Sequence, residues 1–328
     1  MGVKNWRNII PWRWVDLSEL YVPKVAIDAP NYMTRRSSTI RSVASGRVPM
    51  THIHLAFGTI RAALKQHILP IFIFDGPPET LKRKPNPQLI ATAQLLYDRF
   101  LLQQDIHNSK VADALNETPA IRMYFATNHI KDLCRAIGVP TITAPSEAEM
   151  FGAVMCRDGL VGTLISNDAD ALLFGSPHVT KSLQFTKGIM ECVTLSELER
   201  TLDLDLELLR DLAIVCGCDF HKKGVKGLGP RKGALELKRH GGLVYLLRAY
   251  GLTPSEREEY LQAREVFNES TYMTTNGIEL SLKPPIITKL VRVLSPAFGK
   301  ATAEAKTREM VRLWKMFGKT QSTLEQWV

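Results

Sequence analysis

The chain has 328 residues, 45% of them hydrophobic and 23% charged, an ordinary globular mix that allows one large or two modest domains. No apolar run is long enough to cross a bilayer, and no apolar N-terminal stretch precedes a small-residue cleavage site, so membrane insertion and secretion are not expected. The formal net charge of +9 points to polyanionic partners.

The basic residues are concentrated in two places. Residues 220–240 carry seven Lys/Arg against one acid, and residues 1–50 carry eight against three. Such clusters suit nucleic acid, although a solvated surface has the same composition. The five cysteines form no metal-type spacing beyond the single Cys216-Gly-Cys218 pair, so reduced thiols in a cytoplasmic or nuclear compartment are expected. Trp6 stands where an N-myristoylation signal needs Ser or Thr.

In chain order, Val25-Ala-Ile27 reads as a short buried strand that stops at Asp28-Ala-Pro-Asn31, and a helix follows over 51–66. Ile71-Phe-Ile-Phe74 reads as a second buried strand, stopping at Asp75-Gly-Pro-Pro78. Continuous apolar runs of this kind suit parallel strands covered on both faces. Residues 79–120 read as an insertion outside the core. Lys82-Arg-Lys-Pro-Asn-Pro87 breaks regular structure, helical patches occupy 88–104, and polar, turn-prone residues fill 105–119. A helix is expected from Ile121 to about Ala136, then a strand over Val139–Thr143, then a helix opened by Ser146. Val161–Ile165 is a further strand, ending in Ser166-Asn-Asp168-Ala-Asp170. Beyond about residue 195 the pattern is mainly helical, with helices at Leu204–Val215, after Pro230, and over 284–316. The alternation predicts an α/β fold with a mostly parallel sheet.

Seven acids sit at element boundaries: Asp28, Asp75, Glu147, Glu149, Asp168, Asp170 and Asp219. In open α/β sheets ligands bind beyond the carboxyl ends of strands, so these side chains are placed to converge. Each has a local explanation too. Asp favours turns, Ser146-Glu-Ala-Glu149 has the form of a capping box, and Asp168 and Asp170 are placed to cap a helix. Two carboxylates about 4 Å apart repel by roughly 4 kcal/mol at an effective dielectric near 20. A converged set therefore protonates or binds cations, and hard oxygen donors select Mg²⁺, Mn²⁺ or Ca²⁺ over zinc. Paired ions of this class activate water and stabilise the leaving oxygen of a phosphodiester.

Gly224-Val-Lys-Gly227-Leu-Gly229-Pro-Arg-Lys-Gly233 has the form of a helix–hairpin–helix. Its glycines let backbone N–H groups approach a phosphate, the helix start after Pro230 adds a favourable dipole, and Lys226, Arg231 and Lys232 add charge. Such contacts follow the DNA backbone, not its sequence.

Together with Met1-Gly-Val3, Asp28-Ala-Pro-Asn31, Phe74-Asp-Gly-Pro-Pro78, Ala144–Glu149, Asn167–Asp170 and Gly217-Cys-Asp219, these features resemble the archaeal-type flap endonucleases of the XPG/FEN structure-specific 5′ nuclease family, over nearly the whole chain. The resemblance implies a PIN-like 5′ nuclease fold, with a twisted, mostly parallel sheet between helices, a helical arch and the hairpin element. It implies two Mg²⁺ per subunit, with Mn²⁺ as a substitute. The first is held by Asp28, Asp75, Glu147 and Glu149, the second by Asp168, Asp170 and Asp219. Lys82 matches the arch lysine that contacts the scissile phosphate, and with Asp170 it is assigned to catalysis. DNA contacts fall on Arg41, Glu147, Gly217, Asp219, Gly224, Lys226, Gly227, Gly229, Arg231 and Lys232, with K⁺ on the hairpin carbonyls. The segment Gln321-Ser-Thr-Leu324-Glu-Gln-Trp327-Val328 resembles a PCNA-type sliding-clamp motif, with Gln321, Leu324, Trp327 and Val328 as anchors.

The implied protein is a monomer that removes 5′ flaps and trims 5′ ends in replication, including Okazaki fragment maturation, and in repair. Its regions run 1–104 (nuclease and start of the arch), 105–250 (nuclease with hairpin), 251–317 (helical) and 318–328 (clamp tail). The chain departs from the family pattern at Leu89, where the arch carries an Arg, and at Cys218 and Val328. The alternatives are a related 5′ nuclease preferring bubble, gap or RNA substrates, and a clamp-tethered DNA-binding protein with weakened catalysis.

Overall fold

The computed structural model describes residues 3–35, 47–77 and 86–324. Seven strands are present among them: β1 (Arg13–Asp16), β2 (Lys24–Asp28), β3 (Leu69–Phe74), β4 (Thr141–Thr143), β5 (Thr163–Ile165), β6 (His178–Gln184) and β7 (Ile189–Thr194). The chain divides into two compact units, each assembled from separated segments. The first comprises Met1–Asp28, Asp75–Arg83 and Ala144–Ile278, and the second Ala29–Phe74, Lys84–Thr143 and Glu279–Val328. The fold is α/β, as expected.

In the first unit the strand order is β1-β7-β6-β5-β2. β2 and β5 are parallel, with Val25 opposite Thr163 and Ile27 opposite Ile165, and β5 runs parallel to β6. β6 and β7 form an antiparallel hairpin, and β1 closes the edge antiparallel to β7. Val25, Ala26 and Ile27 are fully buried, the environment expected of an uninterrupted apolar strand. Helices Ala148–Arg157, Leu206–Cys216, Pro230–His240 and Pro254–Tyr272 belong to the same unit. Asp205 caps Leu206–Cys216, its Oδ1 accepting from Leu208 N at 2.8 Å. Pro230 takes the first helical position, where its missing N–H costs nothing.

In the second unit β3 and β4 are parallel, Phe72 lying opposite Thr141, and all six residues of β3 are buried. Here residues 105–119 differ from expectation. They hold a helix, Ser109–Glu117, capped by Asn108, whose Oδ1 accepts from Val111 N at 3.2 Å. Its Val111, Ala112 and Leu115 are fully buried, and Arg122 donates to the Leu115 carbonyl at 3.2 Å. The segment is core on one face. Its apolar stripe is only three residues wide, and the polar remainder hides it in the sequence.

At the C-terminal end, helix Lys300–Leu324 includes the backbone of Gln321 and Leu324. Trp327 and Val328 lie outside the described residues, as do Arg41 and Lys82. No helix among the described residues is long and apolar enough to cross a membrane.

Candidate metal and nucleic-acid site

All seven boundary acids fall in the first unit. Asp28 is the last residue of β2 and is buried. Asp75 follows β3 in sequence, and its Oδ1 accepts from Ala148 N at 2.9 Å, at the start of helix Ala148–Arg157. The adjacent Gly76 N–H donates to the Ser146 carbonyl at 2.6 Å, which fixes the Asp75 turn against the loop before that helix.

The expected capping box at Ser146 is not formed. The N-cap residue is Glu147, without a side-chain capping bond, and the Ser146 hydroxyl faces the Met150 sulfur at 3.7 Å. The long-range bond from Gly76 sets this loop instead of the local motif. Glu149 instead accepts from the Ser166 hydroxyl at 3.2 Å. Nor do Asp168 and Asp170 cap a helix. The N-cap of the four-residue Asp170–Leu173 turn is Ala169, with no side-chain capping bond.

Ser166 follows β5 and is 1% exposed. Its hydroxyl accepts from Asp168 N at 3.1 Å while donating to Glu149. Two residues on, the buried Asp170 carboxylate accepts from Val3 N at 3.1 Å. Burial, then the neighbouring Asp168, then Asp219 push the Asp170 carboxyl well above the usual carboxylate range, while the Val3 N–H pulls the other way. Burial also raises Asp168, which shares a hydrogen bond with Asp170. Asp168 and Asp219 thus both lie within electrostatic reach of Asp170. No His, Cys, Asp or Glu group of three or more among the described residues is arranged to hold a metal ion. Asp75, Glu149 and Asp170 each rest on a separate N–H or O–H donor.

The hairpin continues from the same place. Lys4 N donates to the Gly217 carbonyl at 2.9 Å, one residue along from the Val3 bond to Asp170, and the Lys4 ammonium donates to the Lys222 carbonyl. Val225 N donates to the Val215 carbonyl at 2.7 Å, and the Tyr260 hydroxyl donates to the Gly224 carbonyl at 2.6 Å. Gly224 has φ 64°, and a Cβ there would stand 2.7 Å from the Val215 carbonyl oxygen. Gly229 is the N-cap of Pro230–His240. Lys226, Arg231 and Lys232 are exposed and make no ion pair among the described residues. The hairpin therefore presents unpaired cations beside a helix start, a combination suited to a phosphate backbone.

The XPG N-terminal domain family matches residues 1–92, and the XPG I-region family matches residues 138–219. Flap endonuclease 1 of Methanocaldococcus jannaschii is 31% identical over 297 residues, which cover 87% of this chain and 86% of that protein. The chain belongs to the flap endonuclease family. The solved flap endonuclease-1 from Methanococcus jannaschii agrees with it at a TM-score of 0.70 and 27% identity, covering 95% of this chain and 98% of that one. The catalytic core of Rad2 in complex with DNA substrate matches at a TM-score of 0.65 and 19% identity, covering 94% and 99% of the two chains, a likeness of fold.

The donor set of this flap endonuclease family member fits a hard divalent cation. It consists of carboxylates, and burial with mutual repulsion disfavours the charged forms of Asp168 and Asp170, a cost that a bound cation offsets. Four groups in and around the site were not foreseen: Val3, Lys4, Ser166 and Tyr260. The first two act through main-chain N–H groups, which leave no mark in the sequence. Ser166 did leave one, a hydroxyl two residues before Asp168 in a turn.

Proposed function

We propose that the chain is a structure-specific 5′ nuclease that hydrolyses DNA phosphodiesters at 5′ flaps and trims 5′ ends, with divalent metal. One observation carries this beyond family membership. A continuous series of anchors runs from Asp75 through the start of helix Ala148–Arg157 to Glu149, Ser166, Asp168 and Asp170, and consecutive N–H groups of Val3 and Lys4 tie it to the hairpin at Gly217. Acidic centre and basic hairpin are built into one unit.

Asp28, Asp75, Glu147 and Glu149 would hold one Mg²⁺, and Asp168, Asp170 and Asp219 a second, with Mn²⁺ able to replace either. When bound, such ions supply Lewis acidity at the phosphate and favour attack by water. The chain's own residues do the rest. The hairpin amides, with Lys226, Arg231 and Lys232, grip the duplex backbone, and the hairpin carbonyls take K⁺. Arg41 and Lys82 reach the DNA near the cut, Lys82 at the scissile phosphate. The segment Gln321, Leu324, Trp327 and Val328 docks a PCNA-type sliding clamp, and the protein works as a monomer in replication and repair. Asp170→Ala should lower single-turnover cleavage of a 5′-flap duplex in Mg²⁺ by several orders of magnitude while duplex binding in EDTA is kept. Unchanged cleavage would overturn the assignment. Parallel bubble and RNA substrates fix the preference.

A further inference from the structure

Of the carboxylates proposed to hold separate ions, Glu147 and Glu149 come from the start of one helix, and Asp168 and Asp170 from the 168–170 turn. One side chain joins them. The Ser166 hydroxyl donates to Glu149 Oε1 at 3.2 Å and accepts from Asp168 N at 3.1 Å. The side chain is 1% exposed, and the Ser166 main chain is held independently, its N–H donating to the Thr180 carbonyl at 3.1 Å. A hydroxyl has one proton to give, and here it goes to a carboxylate while a lone pair takes the amide of the next acidic turn. Each bond polarises the other in the same sense, so the pair is stronger than either alone. A serine whose backbone is already anchored in the sheet has little freedom to follow either partner. It therefore acts as a fixed post between them.

We propose that Ser166 is a positioning residue that sets the separation between the Glu147/Glu149 and Asp168/Asp170 groups, and that divalent-metal affinity depends on its hydroxyl. This rests on the metal-dependent nuclease assignment above. Groups that orient metal ligands in this way change metal affinity by about 10- to 100-fold when removed. A buried hydroxyl with a purely structural role changes stability and leaves metal affinity alone. The sheet supplies such a control. The Thr163 and Thr180 hydroxyls are buried and bond each other at 2.8 Å.

The test is Mn²⁺ binding to the full chain without DNA, followed by the electron paramagnetic resonance of free Mn²⁺, for wild type, Ser166→Ala, Thr163→Val and Asp170→Asn. Ser166→Ala should weaken Mn²⁺ by about tenfold or more. Its Mg²⁺ half-saturation for flap cleavage should rise by a similar factor, with kcat at saturating Mg²⁺ and KM for DNA nearly retained. Thr163→Val should bind Mn²⁺ as wild type does. If near-ultraviolet circular dichroism shows that Ser166→Ala is unfolded, Ser166→Cys takes its place, and the weaker donor should give an intermediate affinity. Wild-type Mn²⁺ affinity in the serine variant, or an equal loss in Thr163→Val, overturns the positioning role. Wild-type affinity in Asp170→Asn overturns the metal assignment itself, whatever Ser166 does.

Discussion

The hairpin glycines are not equivalent, and two alanine substitutions should separate them. Gly224 has φ 64°, and an added Cβ would lie 2.7 Å from the Val215 carbonyl oxygen and 2.7 Å from the Cys216 carbonyl carbon. Both are backbone atoms and cannot rotate away. A left-handed conformation costs an L-residue about 1–2 kcal/mol, and forcing extra volume into a packed place costs about 1–3 kcal/mol more. Relief requires the hairpin to move off helix Leu206–Cys216, which strains the Val225 bond to Val215 and the Tyr260 bond to the Gly224 carbonyl, at 2.7 and 2.6 Å. Gly224→Ala should therefore lose about 2–5 kcal/mol. Gly227 also has positive φ, 80°, but an added Cβ there meets nothing within 4 Å. Gly227→Ala should lose only the conformational part, about 1–2 kcal/mol. Urea unfolding midpoints measure the ranking, and duplex binding in EDTA measures the consequence. Gly227→Ala should weaken DNA binding by obstructing close approach, in a protein that remains stable. Equal destabilisation of the two variants would refute the account of the hairpin as packed at one glycine and open at the other.

The buried pair His52 and His129, linked Nε2 to Nδ1 at 2.9 Å in the second unit, predicts acid sensitivity. Burial pushes the His129 imidazole down to about 3 and holds His52 well below its usual range, with His129 adding to the effect on His52. Both folded values lie below the unfolded one of 6.5, so their stabilisation is complete above pH 6.5 and is lost progressively as pH falls toward 3. The slope is about 1.4 kcal/mol per pH unit for each histidine that stays neutral. Urea midpoints at pH 7.5 and 5 should differ accordingly, and the part due to His129 should vanish in His129→Phe; a flat profile in the wild type contradicts the burial argument. For the unpaired cations, Lys226→Ala, Arg231→Ala and Lys232→Ala should each weaken duplex binding regardless of sequence and lower the slope of log K against log salt by about 1. An unchanged slope would remove that residue from the DNA contact.

What could be read in advance follows the strength of the burial signal. β2 and β3 were legible because both are continuous apolar runs, and the acids that end them were legible because chains turn there. β6 and β7 were not. His178–Gln184 and Ile189–Thr194 are half-buried, carry Lys181, Gln184 and Glu191 among their apolar residues, and contain a register shift between Thr180 and Ser182 that breaks the alternation. The four-residue β1 pairs only at the edge and shows no pattern of its own. At the site the same limit takes a sharper form. A carboxylate is visible in a sequence, but the donor that places it is visible only when it is a side chain. Asp75 is held by an amide of Ala148 and Asp170 by an amide of Val3, and any residue except proline supplies an amide. The local S-x-x-E motif at Ser146 even pointed the wrong way, because a bond from Gly76 across 70 residues of chain outweighed the cap that the motif offered. The seven acids therefore predict the charge of the centre and the class of cation that neutralises it. Their spacing is decided by groups around them, and beside the amides of Ala148 and Val3 the Ser166 hydroxyl is a placing group that side-chain mutation can remove.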